Sequence, residues 1–213
     1  SGLIGSAIVK TLLEDGHEVL RLVRHRVPAN PLEIAWDPLG EVIDPELLTG
    51  VDAVVHLAGE PIDGYWWTTK KRQRIRDSRV LGTANLVNGL VAMKRKPDVL
   101  ISVTGISYYG NRGDECLRED SRAGSGFLAG IAEDWEAATR PAEDAGIRVV
   151  IPRLAPVLST YSPFVMRLRL PVTLGLGAWF GSGRQYWPWI GLEDVVGVCR
   201  FALSEKRVRG PVI

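Results

Sequence analysis

Five short runs rich in aliphatic and β-branched residues, set among segments of helical periodicity, constrain this chain more than any other feature. The runs are His17 to Val23, Leu32 to Trp36, Val51 to Leu57, Pro97 to Val103 and Ile147 to Ile151. Around them, Ile4 to Leu13, Thr69 to Val91, Phe127 to Ala145 and Leu192 to Leu203 place apolar residues at helical spacing. Val51 to Leu57 is apolar almost throughout, the pattern of a parallel strand covered on both faces. Strand and helix alternate over most of the chain, which predicts an α/β fold: a doubly wound parallel sheet with a small substrate-side lobe built from the insertions.

The first helix opens on Ser1-Gly2-Leu3-Ile4-Gly5 and stops at Asp15-Gly16. Two glycines three apart, running into an amphipathic segment, match the second half of a turn whose helix amides face a pyrophosphate. Gly2 would let the backbone approach the phosphates and Gly5 would let the helix pack closely on a strand. Small residues open many ordinary helices too, so the pair needs support from elsewhere. The strand that would precede this turn is not in the sequence, so the chain reads as truncated at its start.

The charge balance, 26 basic against 25 acidic residues, gives no global case for nucleic acid or an anionic membrane as a partner. No apolar run approaches the roughly 20 residues needed to span a bilayer. Cys116 and Cys199 lie far apart, in no metal-ligand spacing. Two reduced thiols and a cytoplasmic or organelle-matrix compartment are expected.

Local charge is more informative. Arg24 falls 19 positions after Gly5, in a basic cluster with Arg21, His25 and Arg26. An NAD-preferring fold offers an acidic residue near here, and an NADP-preferring one an arginine for the 2′-phosphate. The competing reading is a solvated strand end. Ala58-Gly59 follow the Val51 run and leave room at a crevice. Arg79 sits where the Thr69 helix becomes buried and would want an anion or a carboxylate. The basic residues before it (Lys70, Lys71, Arg72, Arg74, Arg76) read as a solvated face. Ser102, Thr104, Tyr108 and Tyr109 follow the Pro97 run and would be delivered to the same crevice. His56, inside an apolar strand, reads as a satisfied core histidine. In the Phe127 helix Trp135 is expected inside, with Glu133, Asp134 and Glu136 mostly out. The Trp/Gly/Ser-rich segment from Gly181 to Ile190 reads as a loop over a site mouth.

Six stretches together resemble the extended and atypical short-chain dehydrogenase/reductases, in the branch of putative nucleoside-diphosphate-sugar epimerases. They are Ser1 to Gly5; His56 to Ile62; Arg76 to Thr83; Ile101-Ser102 with Tyr108-Tyr109-Gly110; Phe127-Leu128-Ala129 with Asp134-Trp135-Glu136; and Leu174 to Gly177 through Gly181 to Gln185 to Trp189-Ile190. The resemblance implies a Rossmann-type core over residues 1–155. Residues 156–213 would begin a substrate-binding region and return one helix and one strand to the core. NADP is the implied cofactor, held at Gly2, Leu3, Ile4 and Gly5 (diphosphate), Arg24 (2′-phosphate), Leu57, Ala58 and Gly59 (adenosine side) and Arg79. Pro156 is placed near the nicotinamide. A nucleotide-sugar-like small molecule is the implied substrate, and pairing of two copies through helices is common in the superfamily.

In that superfamily a tyrosine moves the hydroxyl proton, its pKa lowered by a lysine four residues later, while a serine or threonine holds the substrate oxygen. Here the corresponding helix places Phe127 and Ile131 at those positions. Substitutes on offer are Tyr108 or Tyr109 as the acid/base, with Ser102 or Thr104 orienting oxygen. Glu60, Asp114 and Glu115 are general bases only if buried, and Asp194 reads as a helix brace. Three readings stay open: an NADP(H)-dependent reductase or epimerase-like enzyme with an unconventional proton donor, a non-catalytic NADP(H)-binding module, and a glycine-rich α/β domain that binds no dinucleotide.

Overall fold

The computed structural model describes residues 2–24, 30–62, 66–176 and 182–213. His25 and Arg26 of the basic cluster, and Gly177 and Gly181 of the motif stretches, lie outside them.

Helix α1, Leu3–Glu14, leads to strand β1, Arg21–Val23, which pairs in parallel with β2, Glu33–Ala35. Buried Glu33 ion-pairs with Arg21, so the basic cluster has lost one member to the sheet. A 3₁₀ turn, Pro45–Leu48, capped by the Asp44 side chain, precedes β3, Ala53–His56. Helix α2, Thr69–Ala92, starts where the Thr68 hydroxyl accepts the Lys71 N–H at 3.2 Å. Strand β4, Val99–Ser102, then lies parallel to β3, with His56 opposite Ser102.

The long helix expected from Phe127 to Ala145 is two helices, α3, Phe127–Ala137, and α4, Arg140–Asp144. Pro141 is the physical reason, since it has no N–H to continue the ladder and suits only a first turn. Strand β6, Arg148–Leu154, pairs with β4 and runs further than its apolar stretch predicts. The two-residue β5, Thr104–Gly105, continues the line of β4 along β6 in the same register, opposite Arg153 and Leu154. Strand β9, Gly210–Val212, pairs with the other side of β6, also in parallel. Outside the main sheet, β7, Val157–Leu158, pairs with β8, Ile190–Gly191, and α5, Pro163–Thr173, lies between them in sequence. Helix α6, Leu192–Ser204, follows β8.

Period-2 alternation on the central strands explains why helices cover both faces. Leu100, Val149 and Ile151 point one way, into a cluster with Leu86, Val87 and Leu90 of α2 and Ala142 of α4. Val99, Ile101 and Val150 point the other way, against Ile8 of α1 and Cys199 and Ala202 of α6. Leu100, Ile101 and Val150 are 0% exposed, and each such side chain contributes about 1.5–3 kcal/mol. This is the doubly wound arrangement. Among the described residues, no helix is long and apolar enough to cross a membrane.

Gly89 marks the tightest approach on the α2 side: a Cβ there would overlap the Ile43 side chain and sit 2.7 Å from its carbonyl oxygen. Gly130, on the exposed face of α3, would meet nothing within 4 Å. Gly89→Ala is expected to destabilise by about 1–3 kcal/mol and Gly130→Ala to stabilise by about 0.5–1 kcal/mol. Equilibrium denaturant unfolding checks both signs.

Candidate functional site

A parallel sheet delivers all its carboxyl ends to one rim, and ligands of open α/β sheets bind outside that rim. On this rim stand His56 at the end of β3 with the loop Leu57 to Glu60 beyond it, Ser102 at the end of β4, and Arg153 and Leu154 at the end of β6. The start of α1 belongs there too, since α1 packs on the sheet and, in a parallel α/β arrangement, a helix that feeds a strand begins at the carboxyl rim. Gly2, the α1 N-cap, makes no side-chain cap bond, and the first turn holds no carboxylate. A helix start without a carboxylate favours an anion.

Around the β3 loop the charge is positive. Arg79 donates from Nη1 to the carbonyls of Glu60 at 2.9 Å and Ile75 at 3.2 Å, and its guanidinium lies 5.2 Å from the Trp135 ring centroid. Burial draws its pKa below the ordinary arginine value, with Glu60 working in the opposite sense. Gly59 packs directly on this guanidinium, which a Cβ would approach to 3.4 Å. Lys71 is turned inward onto the Glu60 carboxylate, Nζ to Oε1 at 2.8 Å, rather than outward on a solvated face. That hydrogen bond from Lys71, with the charges of Arg74 and Arg24, holds the Glu60 carboxyl below its usual range. Glu60 is thus an ionised partner of cations.

His56 is buried, with Nε2 3.0 Å from the Thr83 hydroxyl on α2. Desolvation lowers its pKa from 6.5 to about 4, so it stays neutral and packs, as a core histidine should.

The strongest electrostatic feature of the rim is Arg153, 4% exposed at the end of β6. Its Nε and Nη2 donate to the two carboxylate oxygens of Glu136, each at 2.8 Å. Nη1 donates to the Tyr109 hydroxyl at 2.6 Å and the Glu119 carbonyl at 3.0 Å. The Tyr108 ring lies 3.6 Å from the guanidinium carbon. Burial opposes the charge, but the bonds to Glu136 and Tyr109 outweigh it and raise the pKa. Glu136 also accepts from the Thr104 hydroxyl at 3.1 Å. The expectation that Glu136 points mostly outward is corrected accordingly: a buried guanidinium needs a bidentate acceptor, and α3 supplies it.

The same network fixes the candidate acid/base residues. Tyr109 is 3% exposed, and burial raises its pKa even though the bond from Arg153 pulls it down. Tyr108 is edge-on to it, with ring centroids 5.2 Å apart. Gly124 clasps the pair from behind, its N–H donating to the Tyr108 carbonyl at 2.8 Å, where a Cβ would overlap the Tyr109 carbonyl. Ser102 is fully buried, and its hydroxyl has no hydrogen-bond partner among the described residues. Asp114 and Glu115 lie exposed in the loop beyond. Pro156 is exposed, with its carbonyl accepting the Ile190 N–H at 3.2 Å. Phe127 sits between Trp67, ring centroids 5.8 Å apart, and Arg72, 5.2 Å from the ring. The whole of α3, FLAGIAEDWEA, contains neither tyrosine nor lysine.

The rim thus brings together the α1 start, the β3 loop with Arg24 and Arg79, and, through Arg153, Thr104 with both tyrosines. Sequence reasoning missed three contributors: Lys71, Glu136 and Arg153. An arginine closing an otherwise apolar strand was the available signal, because it demands a buried acceptor. Beside Arg153 lies a hollow of about 310 Å³ whose lining includes Glu119, Glu133, Glu143 and Pro211 but none of the β3 loop. Its excess of carboxylates suits no phosphate.

Fold and rim together define a Rossmann-type α/β protein of the dinucleotide-binding class. The chain belongs to the NAD dependent epimerase/dehydratase family, whose model matches residues 1–212. It is 45% identical over 212 residues to "Epimerase family protein Mb2239" of Mycobacterium bovis, covering 100% of this chain and 69% of that protein. Among solved structures, the nucleoside-diphosphate sugar epimerase from Corynebacterium glutamicum superposes with a TM-score of 0.86 at 37% identity, over 99% of this chain and 43% of that one. The human epimerase family protein SDR39U1, solved with NADPH, gives a TM-score of 0.87 at 32% identity, over 99% of this chain and 70% of that one.

The neutral, buried His56 has a consequence for stability. Its folded pKa lies below its unfolded value, so only the unfolded chain takes up a proton as pH falls from 6.5 towards about 4. Stability is fully present above pH 6.5 and falls across that window, by up to about 3 kcal/mol. Denaturant midpoints measured from pH 7.5 to 4.5 check this, and His56→Gln is expected to flatten the slope.

Proposed function

We propose that this protein binds NADP(H) across the rim and acts, with a proton donor other than a Tyr/Lys pair, on a small carbonyl- or alcohol-bearing molecule of the nucleotide-sugar type. The observation that carries the reading is the convergence of two independent anion-favouring features: the open N-terminus of α1, free of carboxylates in its first turn, and the cationic β3 loop with Arg24. The relative solved with NADPH and the one named as a nucleoside-diphosphate sugar epimerase support the choice of cofactor and substrate class.

NADP(H), when bound, supplies or accepts a hydride. In this reading the amides of Leu3, Ile4 and Gly5, with Gly2 leaving the approach open, hold the diphosphate. Arg24 reads the 2′-phosphate, Leu57, Ala58 and Gly59 line the adenosine side with Arg79 behind them, and Pro156 borders the nicotinamide. Thr104 gives its proton to Glu136, so it offers a substrate only acceptor lone pairs and would hold a hydroxyl rather than a carbonyl. Tyr109 keeps its own proton because burial raises its pKa by more than the bond from Arg153 lowers it. It can serve as an acid before it can serve as a base.

A second reading, a non-catalytic NADP(H)-binding module, is favoured by one specific fact: α3 has neither tyrosine nor lysine at any position. Deuteride transfer from labelled NADPH to a nucleotide-sugar ketone separates the two.

Titration with NADPH and NADH, followed by nicotinamide fluorescence, tests the shared claim. Losing one charge-assisted arginine–phosphate contact costs about 1.5–3 kcal/mol. Arg24→Glu is therefore expected to weaken NADPH by at least about ten-fold and to leave NADH nearly unchanged. Equal losses for both cofactors would show that Arg24 does not read the 2′-phosphate.

A further inference from the structure

Glu60 sits where the loop leaving β3 meets α2, and the chain fixes it at both ends of its peptide unit. Its N–H donates to Ser78 Oγ at 2.9 Å and its carbonyl accepts Arg79 Nη1 at 2.9 Å. The backbone therefore cannot carry the side chain away. Its carboxylate accepts Lys71 Nζ at 2.8 Å and lies 3.8 Å from Arg74 Nη2, with Arg24 adding a longer-range attraction. Lys71 and Glu60 are largely withdrawn from water, their side chains 18% and 25% exposed, so solvent screens this contact less than an open surface pair.

Lys71 and Arg74 are three residues apart on α2 and so share a face, where two like charges repel. Glu60 offsets that repulsion, yet one carboxylate against Lys71, Arg74 and Arg24 leaves the cluster in positive surplus. A phosphate monoester brings up to two charges and three acceptor oxygens, and answers this donor set better than a carboxylate does.

Resting on the reading that the rim takes NADP(H), we propose that Glu60 is the resident counter-ion of a phosphate site formed by Arg24, Lys71 and Arg74, and that the cofactor's 2′-phosphate displaces it from Lys71 and Arg74. Glu60 then sets cofactor selectivity by competition. A ligand without a 2′-phosphate leaves the Glu60–Lys71 pair intact and gains nothing from these cations. A ligand with one must outcompete the carboxylate, and the cations released from it add to binding.

Calorimetric titration of wild type, Glu60→Gln and Lys71→Met with 2′,5′-ADP and with 5′-ADP, beside NADPH, tests this. Glu60→Gln is expected to tighten 2′,5′-ADP by about three- to ten-fold, with the gain shrinking at high salt, and to leave 5′-ADP unchanged. Lys71→Met is expected to weaken 2′,5′-ADP about ten-fold and to spare 5′-ADP. A gain for both ligands in Glu60→Gln would place the cluster on the diphosphate and overturn the proposal, as would no gain for either. Should Glu60→Gln not fold, unchanged 2′,5′-ADP binding in Lys71→Met would overturn it equally. NADPH binding that survives while these shifts are absent removes this inference alone. Absence of NADPH binding by the wild-type protein removes the underlying reading together with it.

Discussion

The ion pair between Arg153 and Glu136 is the constraint on which the rim depends. One guanidinium, nearly out of water, is satisfied by both oxygens of a carboxylate from α3, by a tyrosine hydroxyl and by a loop carbonyl. A charge buried this deeply is tolerable only when it is paired and hydrogen-bonded. The end of β6, the start of β5, α3 and the loop through Glu119 are therefore fixed relative to one another by a single side chain. The same bonds leave Thr104 and Tyr109 with defined hydrogen-bond polarity, so the protonation chemistry open to the rim follows from a packing requirement.

Charge is divided across the molecule. On one side of the rim, the β3 loop and the start of α2 gather Arg24, Lys71, Arg74 and Arg79 around one carboxylate. On the other, glutamates border the hollow beside Arg153. The chain's near-zero net charge conceals this separation. A polyanion approaching the rim would meet an attractive potential on the first side and a repulsive one on the second.

The parallel sheet was legible in the sequence because Val51 to Leu57 and Pro97 to Val103 leave no polar face, and covered sheets of that kind have few alternatives. The site was less legible. Lys71 reads as one member of a solvated basic run, and only the fold of the preceding loop brings a carboxylate to it. Glu136 follows Trp135 on α3 in a stretch with Glu133 and Asp134, and nothing local distinguishes the glutamate that turns inward. Pro141 was present to break the Phe127 helix, but the apolar spacing on both sides of it outweighed the signal. Helix α5 has Pro171 within it and apolar residues at every second position from Met166 to Val172, a strand-like period that hides a helix.

The central claim is that a dinucleotide lies on the rim between the start of α1 and the β3 loop, with its 2′-phosphate among the cations. Amide hydrogen exchange with and without NADPH, compared with NADH, tests it most directly. The account predicts protection of residues 2–6 and 57–61 with both cofactors, and added protection around residue 24 and the first turns of α2 with NADPH alone. Protection confined to the acidic hollow near Glu119 and Glu143, or none at the start of α1, would contradict it.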